Sequence, residues 1–151
     1  MFSIEAIMST NLITVTPSAT LAEARTLMHD NQIHHIPVVE DNKLVGLITL
    51  TNVLAATDSF LRDSQNRIHA NDISIKDAMV EDVATVDISA SLRQAALFLE
   101  RHKIGCLPVL DNGELVGIIT DTDFVAVAIN LLEQIEESEP VADDYDDADV
   151  A

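Results

Sequence analysis

Apolar and polar positions along this chain follow a pattern that occurs twice. Residues 8–54 lie over residues 79–125 at a constant offset of 71, without a gap, and 16 of the 47 pairs are identical. Thr14-Val15 meets Thr85-Val86, Pro37-Val38 meets Pro108-Val109, and "LVGLITLT" from residue 44 meets "LVGIITDT" from residue 115. Each copy opens on a short extended piece, residues 13–15 or 84–86. "SATLAEARTLMHDN" and "SASLRQAALFLERHK" then place apolar residues near i, i+3, i+4 and i+7, the spacing of an amphipathic helix. Ser18 and Ser89 stand ahead of these runs, where N-caps are expected. A buried strand ("IPVV", "LPVL"), a polar turn ("EDNK", "DNGE") and a second strand ("LVGLIT", "LVGIIT") read as a hairpin. A closing helix is expected near Thr51 or Thr122.

The order β-α-β-β-α, repeated, predicts an α/β fold of the α+β type. A unit of about 50 residues covers too little surface to bury both of its helices alone. The two units are therefore expected to pack sheet to sheet about a pseudo-twofold axis. The predicted division is residues 1–57 for the first repeat and 58–72, "DSFLRDSQNRIHAND", for a polar linker. Residues 73–132 form the second repeat and 133–151 a tail.

Composition narrows the classes. Apolar residues make up 48% of the 151, enough for a core, yet aromatics are only 3%, so that core is aliphatic. No run approaches the roughly 18–20 apolar residues of a membrane helix, and the start "MFSIEAIMST" lacks the pattern of a signal peptide. The single cysteine, Cys106, precludes an internal disulfide and suits a reducing cytoplasm. A net charge of −18 with eight scattered basic residues speaks against nucleic acid, whose phosphates need clustered Lys and Arg. Nine of the 26 acidic residues sit in residues 133–151, which hold no Lys or Arg, so that tail is expected to be disordered and solvated.

The twice-repeated "hPVV-turn-LVG-h-h-T-x-x-D" resembles a tandem pair of CBS domains, a Bateman module, over about residues 3–130. "IHHIPVV", "IGCLPVL" and the short N-terminus are similar to the acetoin-utilisation branch. The resemblance implies a regulatory module, not an enzyme, that binds an adenosine-containing ligand in clefts between repeats and pairs into a homodimer. AMP is the first candidate, and output runs through the dimer or an effector protein.

Carried onto this sequence, the nucleotide motif falls on residues 117–123. Thr120 can donate to a phosphate, Asp123 can accept from the two ribose hydroxyls, and Ile118 can lie against adenine. Thr122 stands between them at a helix start, where free N–H groups and the dipole suit an anion. Thr-x-x-Asp at a helix start is also a capping box that closes a helix end with no ligand. The resemblance implies that the other repeat completes this cleft with Leu12, Ile13, Ile33, His34 and His35. The second cleft would hold Thr49, Asn52, Val83, Ala84, Ile104, Gly105 and Cys106. Asn52 replaces the carboxylate and Gly105-Cys106 replaces the histidine pair, so this cleft is expected to be weak or empty. Strand alternation implies that one histidine faces the ligand, His34 being favoured, and the other the repeat interface.

Rival chemistry reads weakly. Cys106 adjoins a buried strand and reads as a small core residue rather than a nucleophile. Adjacent strand residues such as His34 and His35 do not readily share a zinc ion. Asp121 and Asp123 could hold magnesium beside a nucleotide. The charge of the chain is expected to leave ATP little advantage over AMP without a metal. A phosphate touching the histidines would favour their protonated form, so AMP affinity is expected to rise from about pH 8 to pH 6. The alternative reading is a ligand-free dimerisation or interaction module with both clefts empty.

Overall fold

The computed structural model describes residues 3–57 and 73–138. The linker expected at 58–72 lies outside the described residues, as do residues 139–151 of the expected tail. In chain order the elements are α1 (Ile4–Ile7), α2 (Leu21–Asn31), β1 (His35–Glu40), β2 (Lys43–Thr49) and α3 (Leu50–Thr57). The second series is α4 (Ile75–Ala78), β3 (Val86–Asp87), α5 (Leu92–His102), β4 (Cys106–Asp111), β5 (Glu114–Thr120) and α6 (Asp121–Ser138).

The two hairpins are built alike because the same residues recur. β1 pairs with β2 and β4 with β5, both antiparallel, with a register break after Val38 and after its equivalent Val109. Asp41 and Asn42 take positive φ at one turn, Asn112 and Gly113 at the other, the backbone that tight two-residue hairpins require. The opening extended piece runs parallel to the hairpin. In the second repeat it is the two-residue β3 beside β4. In the first it is reduced to one bridge between Val15 and Val38.

Three helix boundaries differ from the sequence expectation. The caps of α2 and α5 are Thr20 and Ser91, two residues beyond Ser18 and Ser89. Each closes a reciprocal box, Thr20 with Glu23 and Ser91 with Gln94. Ser18 instead meets the Thr16 hydroxyl, and Ser89 donates to the Asp87 carboxylate, which draws both serines into the preceding turns. The closing helices begin one residue early, at Leu50 and Asp121, because Leu50 N–H donates to His34 O and Asp121 N–H to Gly105 O. α6 also runs on to Ser138, so residues 133–138, expected in the tail, are helical.

The short helices α1 and α4 are exchanged between the repeats. Ile75 is fully buried with Leu21, Ile36, Val38, Ile48 and Val53 of the first repeat. Ile4 is fully buried with Leu99, Leu107, Val109 and Ile119 of the second. Each such isoleucine contributes about 2–3 kcal/mol of burial to the core it enters. Backbone bonds seal the exchange symmetrically. Ser9 and Ile118 exchange both N–H···O bonds, at 2.9 and 3.0 Å, and Leu47 and Val80 do the same, both at 2.9 Å. The 71-residue offset maps one pair onto the other, as a pseudo-twofold axis requires. The chain division and the packing division therefore differ, since the segment that opens each repeat completes the core of the other.

Candidate functional site

The exchange brings the two repeats together around two clefts of unequal size. The larger, about 560 Å³, is lined from the first repeat by Leu12, Ile13, Ile33, His34 and His35, and from the second by Ile118, Thr120, Thr122 and Asp123. All nine residues expected for the first cleft thus meet in one cavity. Ser9, Asn11, Gln32, Pro37 and Asp121 also line it and were not among them. Their signal is adjacency: Ser9 and Asn11 precede Leu12, and Gln32, in left-handed conformation at the end of α2, precedes Ile33.

The smaller cleft, about 290 Å³, gathers Thr49, Val83, Ala84, Ile104, Gly105 and Cys106 with His35, Leu47, Val80 and Asp82. Asn52 does not line it. Its Oδ1 accepts from Thr49 N–H at 3.0 Å, and its own N–H donates to Thr49 Oγ1 at 3.1 Å. The amide is spent on capping α3, which removes the weaker site's expected ribose acceptor. A third and larger groove, about 1220 Å³, lies on the first repeat alone between α2 and the Asp41-Asn42 turn. It gathers none of the motif residues.

In the larger cleft the capping and binding roles of the motif coexist. Asp123 Oδ2 accepts from Thr120 N–H at 2.8 Å and from Thr120 Oγ1–H at 3.2 Å. Its other oxygen takes no hydrogen bond from the described residues, and it remains to accept from a ligand. Asp121 Oδ1 accepts from Thr122 N–H at 2.9 Å. The start of α6, expected to offer free N–H groups, is thus partly closed by its own carboxylates. Among the described residues no group of three or more His, Cys, Asp or Glu is arranged to hold a metal ion.

The two histidines differ as alternation requires. His34 is exposed and lines only the larger cleft. His35 is half-buried and lines both, so its ring forms part of the wall between them. Gly105 makes room for it: a Cβ there would stand 3.0 Å from His35 Nε2. Burial lowers the pKa of His35, His34 adds to that, and the Asp121 carboxylate opposes it. Burial, with Asp121 beside it, pushes the Cys106 thiol up to about 12, so the sulfur stays protonated and unreactive. Among the described residues no helix is long and apolar enough to cross a membrane.

Comparison with known proteins agrees with this architecture. The CBS domain family model matches residues 4–59 and 75–130. An acetoin utilization protein (AcuB) from Vibrio cholerae, described from its crystal structure, is 42% identical. The match covers 93% of this chain and 99% of that one, at a TM-score of 0.75. CBSX2 in complex with AMP is 28% identical over 87% of this chain and 99% of that one, at a TM-score of 0.73. The CBS domain pair of protein MJ0100, in complex with 5′-methylthioadenosine and S-adenosyl-L-methionine, is 26% identical. It matches 84% of this chain and 99% of that one, at a TM-score of 0.71. Among curated relatives, the CBS domain-containing protein YhcV of Bacillus subtilis is 31% identical over 119 residues, 79% of this chain and 80% of that protein. An inosine-5′-monophosphate dehydrogenase of Korarchaeum cryptofilum is 34% identical over 114 residues, 75% of this chain but only 21% of the enzyme.

Proposed function

The chain belongs to the CBS domain family, and from that premise we propose that it is a regulatory module binding one adenosine-containing ligand in its larger cleft. One observation carries the reading: Thr120 and Asp123 of one repeat share a cavity of about 560 Å³ with Leu12, Ile13, Ile33 and the histidine pair of the other. In this arrangement the apolar residues, Ile118 among them, enclose the base. The uncommitted oxygen of Asp123 accepts from the ribose diol. AMP is the member of the class that the sequence motif favours, and the solved relatives above were crystallised with AMP or with sulfur-containing adenosine compounds.

The smaller cleft stays empty in this account, because Asn52 is consumed as a cap and the volume is about half. No catalysis is proposed, since Cys106 is buried and its thiol is held protonated. Output runs through a homodimer or an effector protein in the cytoplasm. The homodimer is supported by α6, whose Val125, Ile129 and Leu132 are each more than half exposed at i, i+4 and i+7. Isothermal titration with 5′-methylthioadenosine, an adenosine compound without charge, tests the binding claim. A single site per chain is expected. The absence of any heat or thermal stabilisation would favour the ligand-free interaction module instead.

A further inference from the structure

Asp121 is the cleft residue with no acidic counterpart in the other repeat, where Leu50 stands at the equivalent place. It opens α6 and lines the larger cleft together with Asp123. Among the described lining residues there is no Lys or Arg; the only basic side chains are His34 and His35. Burial holds His35 toward its neutral form.

The groups that would receive an anion are already engaged. Thr120 N–H and Oγ1–H donate to Asp123, Thr122 N–H donates to Asp121, and Asp121 N–H donates to Gly105 O at 3.0 Å. A ligand phosphate here would have to displace these bonds and then face two carboxylates. Opposite charge at this end of the ligand would instead be attracted by both, and the net −18 of the chain adds to the same preference.

We propose that the larger cleft selects adenosine compounds whose 5′ substituent is a cationic sulfonium, and discriminates against 5′-phosphates. The proposal rests on the adenosine reading above and names its ligand class. Asp123 holds the ribose, and Asp121, whose Oδ2 takes no hydrogen bond from the described residues, faces the 5′ group. The repulsion of phosphate by these carboxylates supplies the discrimination as much as the attraction of the sulfonium.

The test is titration calorimetry at pH 7.5 with S-adenosylmethionine, 5′-methylthioadenosine and AMP, on the full chain and on Asp121→Asn. The amide can still accept from Thr122 N–H, so the helix start is kept. Expected is the order S-adenosylmethionine, then 5′-methylthioadenosine, then AMP. The gap between first and last should be about tenfold or more and should narrow in the variant. AMP binding as tightly as S-adenosylmethionine, or a ratio unmoved by Asp121→Asn, overturns the charge selection and leaves the adenosine site standing. If none of the three binds, the adenosine reading falls and this proposal falls with it.

Discussion

Met8, from the start of the chain, lies directly over Gly117 of the second repeat, so close that a Cβ on the glycine would stand 2.5 Å from its sulfur. The Ser9 carbonyl oxygen would be 3.1 Å from the same point. The methionine can swing aside, but Ser9 is fixed by its two backbone bonds to Ile118. Gly46 stands in the same relation to Met79 and Val80. Gly117→Ala and Gly46→Ala should each destabilise by about 1–3 kcal/mol, the usual cost of overfilling a packed contact. Only Gly117→Ala should also weaken ligand binding, since Ser9 lines the larger cleft. Thermal melts paired with titrations check this; equal effects of both variants on binding would contradict it.

Cys106 should behave as an inert core thiol. At pH 8, labelling by a thiol reagent should be slow in the folded protein and should speed up in denaturant in step with unfolding. Fast labelling of the native chain would contradict a thiol whose pKa is pushed up to about 12 by burial.

His35 gives the stability a pH dependence of known sign. Its folded pKa lies below the ordinary value of 6.5, so the unfolded chain binds the proton more readily. The associated stability is fully present above about pH 6.5 and is lost as pH falls through the lowered folded value. Relative to His35→Gln, the parent chain should therefore lose melting temperature on going from pH 7 to pH 5. Parallel curves for the two proteins would contradict this. The same shift moves any rise of AMP affinity that depends on His35 below the pH 8 to 6 window expected from an ordinary imidazole.

Asp121 and Asp123 also predict what magnesium does. The ion would offset their repulsion of a 5′-phosphate, so millimolar magnesium should improve AMP affinity by about tenfold and leave 5′-methylthioadenosine unaffected. Calorimetry with and without the ion decides it, and equal responses of both ligands would count against the carboxylates.

Much of this was legible in the sequence because the repeat supplied its own alignment. The offset of 71 put Thr120 and Asp123 against Thr49 and Asn52, and His34-His35 against Gly105-Cys106, so the asymmetry of the clefts could be read residue by residue. The exchange of α1 and α4 was not legible. "IEAI" and "IKDA" are single-turn helices, and nothing local to them says whether Ile4 enters the near core or the distant one. Tertiary packing decides that. Ser18 and Ser89 looked like caps as much as Thr20 and Ser91 did, since either hydroxyl could begin the helix; Glu23 and Gln94, three residues beyond the true caps, select between them. Asp121 was missed as a lining residue because its equivalent, Leu50, carries no polar signal.

The most direct measurement is the affinity of 5′-methylthioadenosine for the parent chain and for Asp123→Asn. Asn52 already forms this capping box at the equivalent place, so the substitution should leave α6 capped and the melting temperature near that of the parent. The account predicts a loss of affinity of at least about tenfold, because the carboxylate that accepts from the ribose is gone. Unchanged affinity in a variant that is folded would show that the adenosine site is not at Thr120 and Asp123.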